Sequence, residues 1–356
     1  MADLQNIPAK RWIRIIPPTI LVYIFGFMDR TNIGFAMAGG MNEALQMTAT
    51  LSGLAAGIFF IGYMVLQVPG GHIAETGNAK KFIAISILAW SIMCTSLGFV
   101  QTSTQLLVLR FLIGVAEGGV WPAILVIIAH WFPQSERGRA NSYFIMNIAI
   151  ASIITGPVSG WLVTTYGWRS VFLVEGAVSF LLIFVWWPLI SNRPSEAKWI
   201  SKEEREYLET TLAAEQNEIS GEDNTPSTLS AILGSVNMWK LILIYFAYQT
   251  GIYGFAMWLP TILRDLTQTG MTSIGFLSTI PYFACMIGLY VFGHLSDKSG
   301  NRKKYVALPL LGFALCFLAA GAAVFSCSAH PVFSGRFRQC SSRLRLPVTA
   351  SVLSTP

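Results

Sequence analysis

The chain has 356 residues, of which 53% are hydrophobic and only 12% charged, with a mean hydropathy of +0.56. Soluble domains carry about 25% charged residues, and the apolar stretches here run to about 20 residues, the length a bilayer-spanning helix needs. The composition therefore excludes a soluble globular protein and predicts an all-α integral membrane protein. The net charge of +6 does not point to a nucleic-acid partner, because the basic residues fall in short segments between apolar runs, as membrane topology requires.

In chain order, Lys10, Arg11 and Arg14 precede the first apolar run. That run continues past Asp29 without a small-residue cleavage site, so it reads as an uncleaved first span rather than a signal peptide. Hydropathy places spans at roughly 14–38, 51–74, 82–100, 105–130, 140–164, 170–190, 240–263, 271–295 and 305–325, about nine helices. Lys10, Arg11, Arg14, Lys80, Lys81, Arg137, Arg139, Lys298, Arg302, Lys303 and Lys304 fall on one side and only Arg169 and Arg264 on the other. The positive-inside bias makes the first side, and with it the N-terminus, cytoplasmic. Cys94, Cys285 and Cys316 lie singly in apolar runs, and no CxxC or metal-ligand spacing occurs.

Domains are expected at 1–190, a six-helix bundle; 191–239, a central cytoplasmic loop; 240–326, a partial three-helix bundle; and 327–356, an atypical tail. Within the central loop Ser201 and Glu204 have capping-box spacing ahead of a charged run to about Gln216, which predicts a cytoplasmic helix within a solvated spacer. Two short segments look like copies of one motif. Gly293, Asp297, Lys298, Gly300, Arg302 and Lys303 form the stronger copy, and Gly71, Glu75, Asn78, Lys80 and Lys81 occupy the equivalent places in a weaker one. Each follows the second helix of its half, so the halves read as parallel repeats.

These segments resemble the gating-loop motif of the major facilitator superfamily. Phe27 to Gly34, Arg110 to Glu117 with Gly118 and Pro122, Trp131-Phe132-Pro133 with Glu136 and Arg137, and Gly167-Trp168-Arg169 with Glu175-Gly176 are similar more specifically to its anion:cation symporter family. Members carry sugar acids, tartrate, phthalate and related carboxylates. The resemblance covers residues 10 to 325 and implies twelve spans, so a truncation or frameshift near residue 326 is expected, with Arg336, Arg338, Arg343 and Arg345 interrupting any later span. A nine-span chain is expected not to transport.

A charge inside a span costs about 2.5–3.5 kcal/mol at a helix centre, so Asp29, Arg30, Arg110 and Glu117 mark either a function or a pair. Arg110 and Glu117 are seven apart and return to one helix face, with Gly114 between them as a notch open to an arginine or a ligand. The resemblance places proton-binding acids and a carboxylate-binding arginine at the matching positions. Arg30 is assigned to the substrate carboxylate, which a planar guanidinium holds with two parallel donors. Arg110 is assigned beside it to substrate and acids, and Asp29 and Glu117 are the proton-coupling residues. The alternative is two structural ion pairs, Asp29 with Arg110 and Arg30 with Glu117.

In the seventh span Gln249 and Tyr253 share a face and are placed to bind substrate from the second half, with Tyr248 and Trp258 as packing or lesser contacts. Gly156, Pro157 and Gly160 predict a kink and close packing, and His72, His130 and His294 read as interfacial. The expected function is proton-coupled symport of an organic anion by alternating access. It needs no cofactor or metal, only a proton gradient, and the expected partners are a small organic anion, protons and the lipid bilayer. A multi-pass monomer in a bacterial inner membrane is expected. A proton-driven drug antiporter on the same scaffold and a non-functional fragment are the alternatives. An enzyme is excluded by the lack of any HExxH, GxSxG or Cys/His cluster.

Overall fold

Helix starts are set by side chains that the sequence places just ahead of each apolar run. Thr48 accepts from the Leu51 N–H at 3.3 Å, Asn78 from Lys81 at 3.0 Å, and Thr102 from Gln105 at 3.3 Å. The Gln105 side chain accepts in turn from the Thr102 N–H at 3.3 Å, completing a capping box. The structure is a computed structural model that describes residues 10–222, 234–299, 304, 305, 307–316 and 318.

The N-terminal helices are α1 (Lys10–Ala36), α2 (Ala49–Thr76), α3 (Ala79–Leu97), α4 (Ser103–Gly118), α5 (Val120–Trp131), α6 (Gln134–Ile145), α7 (Asn147–Tyr166) and α8 (Trp168–Leu189). They are followed by α9 (Lys202–Glu222), α10 (Val236–Thr267), α11 (Met271–Leu277) and α12 (Thr279–Ser299). Among the described residues, eight helical stretches are long and apolar enough to cross a membrane. Three of these each run across a pair of labelled helices, α4 into α5, α6 into α7 and α11 into α12. The span expected at 305–325 is represented by a shorter apolar helix, Ala307–Cys316, and the 327–356 tail lies outside the described residues. One compact unit comprises Met1–Thr261 with Thr269–Phe283, and a second comprises Ile262–Gln268 with Ala284–Pro356.

In a bilayer, helices associate through close packing rather than water exclusion, and glycines allow it here. A Cβ on Gly114 or Gly118 of α4 would run into the carbonyl oxygens of Phe59 and Tyr63 of α2, and one on Gly62 into that of Phe111. The notch expected at Gly114 is therefore filled by the α2 backbone and is not open to a ligand. Gly156 and Gly160 do the same for α7 against α11, where an added Cβ would sit 2.5 Å from the Gly275 and Met271 carbonyls respectively. Helix α7 continues through Pro157. At the end of the first span a π-turn at Met37–Met41 holds Gly40 at φ 102°, a left-handed conformation that glycine adopts without a Cβ clash. Apolar side chains such as Met64, Val68 and Phe184 point outward, as a lipid-facing surface requires.

Among the described residues α1 starts at Lys10, ahead of the expected span start, and Arg11 in its first turn is anchored. Its Nη1 donates to Glu204 at 2.7 Å, and its Nη2 donates to both oxygens of Glu136, at 2.7 and 2.9 Å. Glu204 belongs to the central linker, 193 residues away in sequence, and is fully buried. The expected cap is half formed: the Glu204 N–H donates to Ser201 Oγ at 3.1 Å, but the carboxylate is held by Arg11 and does not return to the cap. Nor is this region a solvated spacer. Ala197 and Leu208 are fully buried, and Trp199 stacks on Trp131 at 5.0 Å.

Removing one partner of a buried ion pair costs about 3–5 kcal/mol. Arg11→Ala should therefore release α9 and speed trypsin cleavage at Lys202 and Arg205 by at least about tenfold, the equivalent of about 1.4 kcal/mol of local opening. Unchanged cleavage would show that the apolar contacts of Leu208 and Trp199 hold the linker without the ion pair.

Candidate functional site

Successive residues of α1 point about 100° apart, so the run from Asp29 to Asn32 faces different neighbours. Asp29 and Asn32, three residues apart, share one face. Asp29 Oδ1 accepts from the Cys94 thiol of α3 at 3.2 Å and Oδ2 from Ser179 of α8 at 3.4 Å. The Asn32 amide donates to Glu175 Oε2 of α8 at 3.0 Å, and Ser159 of α7 donates to Glu175 Oε1 at 2.8 Å. Asp29, Asn32 and Glu175 are all buried.

Arg30 turns the other way, toward α4. Its Nε donates to Glu117 Oε2 at 2.9 Å and its Nη1 to the Tyr23 hydroxyl at 2.9 Å. The guanidinium carbon stands 4.6 Å from the Tyr63 ring centre and 5.0 Å from that of Tyr23, within cation–π range. Glu117 Oε1 is buried without a partner. Arg30 and Glu117 expose 4% and 1% of their side chains.

The Arg30 to Glu117 pair is one of the two ion pairs that the sequence admits. The other is absent: no ion pair joins Asp29 to Arg110 among the described residues. Arg110 is fully buried and donates to main-chain carbonyls, Nη1 to Asp29 at 2.9 Å, Nη2 to Arg30 at 3.3 Å and Nε to Ala55 at 3.4 Å. It ties α4 to α1 and α2 beneath the site. The substrate contact expected of Arg110 from sequence would have to use the second N–H of Nη1 or Nη2, since the bonds it makes here go to the main chain.

Tyr253 of α10 packs on Phe60 at 4.6 Å and Phe27 at 6.4 Å, which brings it beside α1 and α2 on the Arg30 side. Gln249 is partly buried one turn earlier, and Tyr248 is exposed. A narrow cleft on another face of α1 is lined by Thr31, Thr155, Ser278 and Tyr282 and carries hydroxyls but no charge. Gly71 and Glu75 lie in the last two turns of α2, not in a loop, with Gly71 against Pro122 and Glu75 exposed. Gly293, Asp297 and Lys298 likewise fall in the last turns of α12, while Gly300 and Arg302 lie outside the described residues.

Tyr23, Tyr63, Cys94, Ser159, Ser179 and Glu175 escaped the reading of the sequence as participants. Aromatic rings and a thiol give no sign of a cation or a carboxylate partner. Glu175 did give one, since it is an acid eight residues into α8 and the cost of a charge within a span applies to it as to Glu117.

A family model described as the Major Facilitator Superfamily matches residues 19–335. A protein of Agrobacterium vitis ascribed tartrate transport is 34% identical over 340 residues, covering 93% of this chain and 73% of its own. A quinolone resistance transporter of Acinetobacter baumannii is 31% identical, covering 87% and 71%. A crystal structure of a bacterial homolog of the human lysosomal transporter Spinster, inward-facing and occupied, aligns with a TM-score of 0.65 at 19% identity. It covers 83% of this chain, which spans only 63% of that one. With its helical spans and a model match across most of its length, the chain belongs to the major facilitator superfamily and is a multi-pass membrane transporter, not an enzyme.

Proposed function

We propose that the chain is a proton-coupled symporter of a small organic carboxylate, with Arg30 as the substrate-binding cation and Glu117 as the acid that competes for it. The observation that carries this reading is the unfinished Arg30 to Glu117 pair. Arg30 Nη2 donates to none of the described residues, and Glu117 Oε1 accepts from none. When a proton neutralises Glu117 its hold on Arg30 weakens, and an incoming carboxylate takes its place with two parallel N–H donors. Proton and anion thus enter together. Tyr253, and Gln249 one turn away, contribute from the second half, and Asp29 is a further acid on the same helix. The proton gradient is the driving force, with no cofactor. The arginines and lysines gathered at the α1 start, the α3 start and the α5 to α6 junction support a cytoplasmic N-terminus in a bacterial inner membrane, and the unit is a monomer.

The relative from Acinetobacter raises drug efflux as a second reading. A cationic drug would meet like charge at Arg30 and Arg110, so this site favours anions. The test is thermal stabilisation of the purified chain, and pH-gradient-driven uptake into proteoliposomes, with tartrate, a sugar acid and an aromatic carboxylate, beside their uncharged alcohols. A carboxylate should stabilise and its alcohol should not. Stabilisation by a cationic dye, with none by any carboxylate, would overturn the assignment.

A further inference from the structure

Five acidic and basic side chains are buried in this bundle around α1, α4 and α8: Asp29, Arg30, Arg110, Glu117 and Glu175. Three carboxylates face two guanidiniums, a formal charge of −1 if all are ionised. One guanidinium is paired with Glu117 and the other is tied to main-chain carbonyls. Glu175 is left with no cation within ion-pair distance among the described residues. It lies about 10 Å along α8 from Trp168 at 1.5 Å per residue, well inside the apolar part of the span.

The Glu175 partners are suited to more than one protonation state. Ser159 Oγ and Asn32 Nδ2 donate to its two oxygens, which suits a carboxylate. Asn32 Oδ1 is fully buried and has no partner. An amide turned over at Asn32 presents that oxygen to Glu175, where it can accept only if the carboxyl carries a proton. The orphaned acceptor and the missing cation are both answered by one added proton.

We propose that Glu175, Asn32 and Ser159 form a second proton-binding site, separate from the Arg30 to Glu117 pair, whose occupancy sets the contact of α1 with α7 and α8. A proton from water forms an O–H bond at a Glu175 oxygen, the Asn32 amide turns over to accept it, and Ser159 keeps its bond to the other oxygen. Nothing is oxidised or reduced. Asn32 is three residues from Asp29 on the same helix face, so the turned amide reaches the helix that carries the substrate arginine.

The ionisable groups around Glu175 are few. From α1 it is faced by Asp29, and from α3 by Cys94, whose thiol is held by Asp29. The only ionisable residue of α7 is Tyr166, seven residues beyond Ser159. On α8 itself Arg169 lies six residues earlier and donates to the Val100 carbonyl at 3.1 Å. The lysines of α3, Lys80 and Lys81, are at its far end.

The proposal rests on the reading of the chain as proton-coupled, but its principal test reads the proton directly and needs neither transport nor a known substrate. Infrared difference spectra of the purified full chain are recorded between about pH 5 and about pH 9, a window that brackets carboxyl groups displaced from their ordinary values. A carboxylic C=O band should appear on acidification, vanish in Glu175→Gln and persist in Glu117→Gln. Because Glu175→Gln can disturb folding, Ser159→Ala keeps the carboxyl and removes one donor to its ionised form. There the band should appear at a pH higher by about one unit or less, the range of one hydrogen bond. A band unchanged in both variants would overturn the proposal and leave Glu175 a helix clamp of fixed protonation. So would sodium suppressing the band in the parent at constant pH, which would make the occupant a metal cation. If Glu117→Gln removed no band while Glu175→Gln removed one, the function proposed above would fail and this one would stand.

Discussion

In a form extended to the twelve spans that the family implies, Glu117→Gln should abolish accumulation of a carboxylate against its gradient while leaving exchange of that carboxylate across the membrane intact. The amide preserves the size of the side chain, and its Oε1 can still accept from Arg30 Nε, where Glu117 Oε2 now does so at 2.9 Å. What it removes is the titrating group and the negative charge opposite Arg30. The competitor for the guanidinium is then gone at every pH, so carboxylate affinity should be undiminished and should lose its dependence on acid over about pH 5 to 8, the interval in which displaced carboxyl groups change state. Counterflow in proteoliposomes measures the retained exchange, and uptake driven by an imposed pH gradient measures the loss. Uphill uptake equal to that of the parent would remove Glu117 from proton coupling and leave the ion pair a structural clamp.

How much of this was legible depended on whether an interaction is written in residue types. The cost of a charge in a span singled out Asp29, Arg30, Arg110 and Glu117, and of the two ion pairs admitted as the alternative reading, Arg30 to Glu117 forms and Asp29 to Arg110 does not. The main-chain bonds of Arg110 could not be read for a physical reason: its acceptors are the carbonyls of Asp29, Arg30 and Ala55, and every residue offers a carbonyl. The Gly114 notch failed similarly, because a glycine declares a close approach without saying whether a ligand or a helix makes it. Here the α2 backbone does. The linker was misjudged because its anchor, Glu204, looks like an ordinary cap, and its partner Arg11 is 193 residues away. The helix start at Ser201, by contrast, was readable, since a cap is a local bond between residues three apart.

Arg30→Lys should weaken carboxylate binding by at least about tenfold, or about 1.4 kcal/mol, with little loss of folded protein. Lysine keeps the charge, so simple attraction of an anion survives. It loses the planar fork in which Nε reaches Glu117 and Nη1 reaches Tyr23, each at 2.9 Å, and the face that lies 4.6 Å from the Tyr63 ring centre. A flexible ammonium offers three rotating donors in place of a rigid edge, so neither Glu117 nor a substrate carboxylate receives two parallel bonds from it. The comparison with Tyr23→Phe separates binding from positioning. That variant frees one guanidinium nitrogen without touching the charge or the stem, and should change affinity by less than the lysine does, about 1 kcal/mol for one hydrogen bond. Isothermal titration of a stabilising carboxylate against the parent and both variants gives the three affinities. Near-parental binding in Arg30→Lys would move Arg30 out of the substrate site and make its bonds to Glu117 and Tyr23 a means of holding α1 against α4.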